Sequence, residues 1–202
     1  MKKLAFVAAL ATATVSAPAM ASGYAGAEGG YAWVDIKAKQ TAQELANLSG
    51  STVTYTHDKA AFMGRLFGGY DISPNLALEV GGFTTGNLSA TYTITGASAS
   101  ESYSASGLDV SIVLKPSPEG FYAKLGMHNS KVSGNASLVI GGVTYAVAST
   151  TKSGTGVMGG IGYQSELSPN LYWQAGWTYY GNLGGISSAN ANFISFGVTS
   201  KF

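Results

Sequence analysis

The sequence predicts an all-β protein, a transmembrane eight-stranded antiparallel up-and-down β-barrel, and three observations predict it. Only 10% of the 202 residues are charged, against about 25% in soluble domains. The 28 glycines run at about twice the usual frequency of ~7%. Stretches of about ten residues alternate large apolar with small or polar side chains, as strands do when one face meets lipid. Composition also excludes much. A chain that is 46% hydrophobic is not disordered. Without cysteine there are no disulfides, thiolate nucleophiles or Cys-ligated metals. A net charge of +1 gives no basic face for nucleic acid.

The chain begins with an export signal. Lys2 and Lys3 form a basic start, Leu4 to Val15 is apolar, and Ala19-Met20-Ala21 fits a small-x-small cleavage site. The apolar run is too short for a spanning helix, which needs about 20 residues. The division is therefore residues 1–21 as signal peptide and 22–202 as barrel domain. Without Lys2 and Lys3, 9 basic and 10 acidic side chains remain, a net charge of −1. Ser22 follows the cleavage site where a lipoprotein has Cys, so a lipid anchor is not expected.

Eight strands are expected, at about 25–37, 59–72, 75–85, 104–115, 121–131, 154–166, 171–181 and 192–202. In the third, Leu76, Leu78 and Val80 alternate with Ala77, Glu79 and Gly81. In the fourth, Leu108, Val110, Ile112 and Leu114 alternate with Gly107, Asp109, Ser111 and Val113. Phe121, Ala123, Leu125 and Met127 alternate with Tyr122, Lys124, Gly126 and His128. Leu171, Trp173, Ala175, Trp177 and Tyr179 oppose Tyr172, Gln174, Gly176 and Thr178. The last strand sets Ile194, Phe196, Val198 and Phe202 against Ser195, Gly197, Thr199 and Lys201. The polar face is too small and too poor in Lys and Glu for an exterior in water. Turned inward it suits a narrow lumen, with the apolar face on lipid and Tyr70, Tyr163, Trp173, Trp177 and Tyr179 in interfacial girdles.

Three joints are tight: Ser73-Pro74-Asn75, Lys115 to Gly120, and Ser168-Pro169-Asn170. The other connections, about 38–58, 86–103, 132–153 and 182–191, are long. Short turns on one side and long loops on the other place both termini in the periplasm, and an even strand count leaves no edge in lipid. One hairpin is used twice: Gly69-Tyr70 through Ser73-Pro74-Asn75-Leu76, and Gly162-Tyr163 through Ser168-Pro169-Asn170-Leu171.

With Phe121-Tyr122-Ala123-Lys124-Leu125-Gly126 and the ending Phe196-Gly197-Val198 to Phe202, these hairpins resemble the OmpA-like family of small outer-membrane barrels. The resemblance spans the chain after the signal. It implies an integral protein of the Gram-negative outer membrane, in contact with membrane lipid and lipopolysaccharide. It also implies insertion by the barrel-assembly machinery, which reads a C-terminal aromatic strand. Phe196, Val198 and Phe202, with Ile194, fit that assembly signal, while Ser200 stands where an aromatic is common. No cell-wall-binding domain is expected after the barrel.

Inward parity gathers a candidate lumen charge network of Arg65, Asp71, Glu79, Asp109 and Lys124, with Glu28 and Asp35 as further members. Paired across the axis they form a rigid plug, because unpaired buried charge is costly. The alternative is a gate in which Arg65 and Lys124 exchange carboxylate partners, as lumen ion pairs do in the family. His128 with Ser130 is similar to the His-x-Ser of lipid A deacylase barrels, but no acidic residue follows nearby to orient the imidazole. Their parity is inward as well, and a stray polar pair is the expected reading. His57 has no second metal ligand beside it, so no metal or cofactor is expected.

The loops complete the reading. Thr41-Ala42-Gln43-Glu44 fits a capping box, with Gly50 as a stop. Ala136 to Val147 around Gly141-Gly142 reads as a hairpin prolonging two strands, and Leu88 to Thr95 alternates similarly. With few charges and no hydrophobic cluster expected, these loops are a solvated rim, the alternative being an adhesive surface. The expected protein is a non-enzymatic outer-membrane barrel that maintains the membrane and offers its loops to partners. A narrow porin-like channel is the second reading, and a lipid A-modifying enzyme the third.

Overall fold

The computed structural model describes residues 23–34, 43–44, 46–47, 52–94, 96–140 and 143–202. The signal peptide, Asp35 and the hairpin tip at Gly141-Gly142 lie outside them. So does most of the capping-box segment, although Gln43, Glu44, Ala46 and Asn47 have helical backbone.

The strands are β1 (Gly23–Val34), β2 (Thr54–His57), β3 (Ala60–Ser73), β4 (Leu76–Thr85), β5 (Leu88–Ile94), β6 (Ala97–Leu114), β7 (Gly120–Ile140), β8 (Val143–Ser168), β9 (Leu171–Tyr180) and β10 (Ala191–Lys201). Antiparallel pairing runs β1–β3–β4–β6–β7–β8–β9–β10. The ring then closes where Tyr24 meets Lys201 and Val34 meets Ala191. Closure pairs β1 with β10 and so leaves no open sheet edge in the ring, whose backbone groups lipid could not satisfy. The eight-stranded barrel and its three tight turns stand as expected.

Alternation sets the two faces. Leu125, Ile161 and Phe196 point outward and are 72%, 60% and 60% exposed, while Arg65, His128 and Phe193 point inward and are buried. Outward aromatics cluster at the short-turn end, Tyr163 5.7 Å from Trp173 and Trp173 5.9 Å from Phe196. Tyr31 and Phe62 meet edge-on nearer the long-loop end.

The expectation of a lumen filled by small residues is corrected. Inward glycines are sockets for large neighbours. A Cβ on Gly81 would stand 2.6 Å from Arg65 Nη2, and one on Gly107 2.8 Å from the Phe83 ring. Tyr24, Phe67, Ala77, Val113 and Tyr122 form an apolar cluster at the inner end. Ala32, Met63, Phe83, Met158, Tyr180, Leu183, Ala191 and Phe193 form another at the outer end.

One strand start also differs from expectation. The segment begun at 104 starts at Ala97, while the strands bounded at 131 and 154 run on to Ile140 and back to Val143, as the prolonging hairpin read at 136–147 anticipates. β5 pairs with β6, and β2, not anticipated at all, pairs with β5. The result is a five-stranded wall, β2–β5–β6–β7–β8, raised on one side of the barrel. From Ala97 to Ser106, β6 sets Ser on one face against Ala, Glu101 and Tyr103 on the other, a weak hydrophobic contrast although strand geometry continues. The expected lack of a hydrophobic cluster in these loops is wrong as well. Ala90 and Tyr92 are buried on the wall's inner face against Val53, Tyr55 and Ala99.

Candidate functional site

The site is the charged layer of the lumen. Arg65 is at its centre because β3 carries it inward between Gly81 and Phe67, with the guanidinium 5.0 Å from the Phe67 ring centre. It grips Asp109 with two bonds, Nε to Oδ2 at 2.9 Å and Nη2 to Oδ1 at 2.6 Å. Nη2 also donates to Glu79 Oε1 at 2.8 Å and Nη1 to Glu28 Oε1 at 3.1 Å. A planar fork suits several carboxylates at once, which a Lys could not hold in this way. Glu28 takes further bonds from Ser195 Oγ at 2.8 Å, Gln174 Nε2 at 3.3 Å and Lys124 Nζ at 3.4 Å. Tyr24 OH donates to Glu79 at 3.2 Å, and Thr199 Oγ1 to Gln174 at 3.1 Å. The layer thus ties together every barrel strand except β8.

Of the residues named from sequence, Arg65, Glu79, Asp109 and Lys124 converge here. Glu28, only a further member by sequence, is the acceptor that both cations share. Asp71 does not join them. It lies at the inner rim, just before a register shift in β3, and pairs with Lys115 Nζ at 2.7 Å. Lys115 was read as a turn residue, yet it continues the inward parity of Asp109, Ser111 and Val113. It also packs on the Tyr24 ring at 4.3 Å. Between these layers the lumen holds a cavity of about 20 Å³, bounded by Tyr24, Glu79, Lys115, Lys124 and Gln174, enough for about one water.

Outward of Arg65, His128 and Ser130 face the lumen and are 2% and 1% exposed. They do not bond each other. His128 Nε2 pairs with Gly181 O at 2.8 Å, and Ser130 Oγ accepts from Gly184 N at 2.8 Å. Both hold the turn after β9, where Asn182 and Gly184 take positive φ (59° and 62°). That turn carries Leu183 inward as a lid on the outer apolar cluster. Among the described residues no group of three His, Cys, Asp or Glu is placed to hold a metal. His57 stacks on Tyr55 at 5.8 Å.

A closed antiparallel barrel, apolar outside and charged within, defines an integral membrane β-barrel. The chain belongs to the outer membrane protein beta-barrel domain family, whose model matches residues 5–202, and is an integral protein of the outer membrane. Similar solved structures include Ail, the attachment invasion locus protein of Yersinia pestis: 15% identity, 89% of this chain and 99% of that chain covered, TM-score 0.48. Neisserial surface protein A shares 18% identity over 89% of this chain and 97% of its own, TM-score 0.42. The N-terminal barrel domain of OprF from Pseudomonas aeruginosa shares 11% over 90% and 97%, TM-score 0.44. No curated protein sequence matches the chain.

Proposed function

We propose that the protein is a closed, non-enzymatic structural barrel that maintains the outer membrane and presents its raised wall to partners outside the cell. The observation that carries this reading is a lumen filled across its width, with Arg65 bonded to three strands under an apolar plug lidded by Leu183. Opening a path requires parting buried ion pairs and moving the plug together. The non-enzymatic part draws support from His128 and Ser130, each engaged with backbone and turned from lipid. Outward-facing Ile194, Phe196 and Phe202 support the role of β10 as the strand read by the barrel-assembly machinery.

One contact favours the second reading, a narrow channel. Arg65 Nη1 and Lys124 Nζ compete for the same Glu28 oxygen, at 3.1 and 3.4 Å, which is the arrangement partner exchange needs. Single-channel recording of the refolded protein in planar bilayers separates the two. A silent membrane is expected, with folding shown by faster migration in an unheated gel. Discrete openings that change with Lys124→Glu would instead establish the channel.

A further inference from the structure

On the outward face of the barrel, one groove of about 1280 Å³ runs down the lipid-facing side of β1, β3, β4 and β6. Its outer end is at Thr84, Ser106 and Lys131, and its inner end at Tyr70 and Phe202. The floor is Gly64, Gly68 and Gly82, and these glycines differ from those inside. A Cβ on Gly82 would meet Leu108 Cδ2 at 3.4 Å, one on Gly68 would meet Tyr24 O at 3.6 Å, and one on Gly64 would meet the Phe62 ring at 3.8 Å. Those are ordinary contacts, and none of the three has positive φ. Glycine weakens a strand, and within one it marks close approach by something else. Nothing in the protein itself requires glycine at these positions.

Lys131 closes the outer end of this groove. The register sets it between Ser106 and Ser153, and it makes no ion pair among the described residues. Above it, on the same outward face of the wall, lies a second groove of about 700 Å³, lined by Ser89, Thr91, Ser100, Ser102, Asn135 and Ser137. The acids near it are turned to other partners. Glu101 accepts from Tyr103 OH at 2.8 Å, and Asp58 from the Ser89 N–H at 2.9 Å. What remains is an uncharged surface of hydroxyls and one amide with Ala136, Ala146 and Ala148 among them, its strands about 4.8 Å apart. That surface offers donors and acceptors to the hydroxyls of a sugar.

We propose that this face is a cradle for one phosphorylated glycolipid of the outer leaflet, with an acyl chain on Gly64, Gly68 and Gly82, its phosphate at Lys131, and its sugars against the Ser/Thr wall. The order along the face, hydrocarbon then cation then hydroxyls, is that of such a lipid standing in the membrane. The inference rests on the outer-membrane placement with the wall outside, and is independent of whether the lumen conducts.

Native mass spectrometry tests it on the refolded protein in detergent micelles, offered rough-type lipopolysaccharide in competition with phosphatidylglycerol. The protein retains one lipopolysaccharide molecule. Lys131→Glu, and separately Gly68→Leu with Gly82→Leu, lower that retention at least tenfold. Gly159→Leu leaves it unchanged, since it adds the same bulk on β8 outside the groove, where a Cβ would meet Leu125 at 3.8 Å. Retention unaffected by both groove variants overturns the proposal, as does equal loss with Gly159→Leu or equal retention of phosphatidylglycerol. Unheated gel mobility of the same samples reports separately on the barrel. The charge reversal at exposed Lys131 keeps the test decisive if the glycine variants fold poorly.

Discussion

Replacing Arg65 with Met removes the central cation while keeping most of its volume. The consequences divide among its three partners. Glu28 retains Lys124, Ser195 and Gln174, and Glu79 retains Tyr24. Asp109 loses both of its hydrogen bonds, because both came from Arg65. A buried carboxylate stripped of its partner costs about 3–5 kcal/mol. With a urea m-value of about 2 kcal/mol/M, the unfolding midpoint falls by about 2 M. The assay is urea unfolding in lipid vesicles, followed by tryptophan fluorescence and by gel mobility. Arg65→Met combined with Asp109→Asn then recovers at least half of the loss, since the stranded charge is gone. A single variant within about 1 kcal/mol of the parent, smaller than any buried pair lost on one side, would refute the reasoning. So would a double variant no more stable than the single.

Other outcomes follow from the same geometry. Deleting Phe202, which lies outward at the end of β10, lowers surface assembly much more than the stability of refolded protein; normal surface levels in fractionated cells contradict this. Gly126→Ala places a Cβ against Val110 O and Ser111 Cα and prevents refolding, whereas Gly159→Ala is neutral, as read by heat-modifiable migration. Ser130→Ala removes the bond to Gly184 N and costs about 1 kcal/mol, with faster hydrogen exchange at Gly184 than at β9. In cells overproducing the protein, lipid A keeps all its acyl chains by mass spectrometry.

The barrel was legible wherever large and small residues alternate, as from Gly107 to Leu114, because lipid on one side and close packing on the other demand opposite side chains. It was illegible from Ala97 to Tyr103, where Ser on one face stands against Ala, Glu101 and Tyr103 on the other and the contrast in size and polarity is too weak to mark a strand. Parity placed Arg65, Glu79, Asp109 and Lys124 correctly, since the face of a strand residue is fixed by its position. Parity carries no depth, however, and so Asp71 was grouped with Arg65 although it sits at the rim with Lys115. Nor does parity show that an inward glycine is half of a pair, as Gly81 is with Arg65. That relation is between strands and appears only with the register.

Among the described residues, the wall stands on one side. From Lys131 to Ile140, β7 continues paired with both neighbours, which at about 3.4 Å per residue is about 30 Å of strand. Across the barrel, the turn after β9 folds down into the mouth and adds no height. The molecule therefore has a compass heading in the plane of the membrane. Among the described residues, a neighbour beside β7 and β8 meets a wall that one beside β9 and β10 does not. Substitutions along β7 and β8 beyond Lys131 therefore change the wall while the ring of eight strands beneath keeps its pairing.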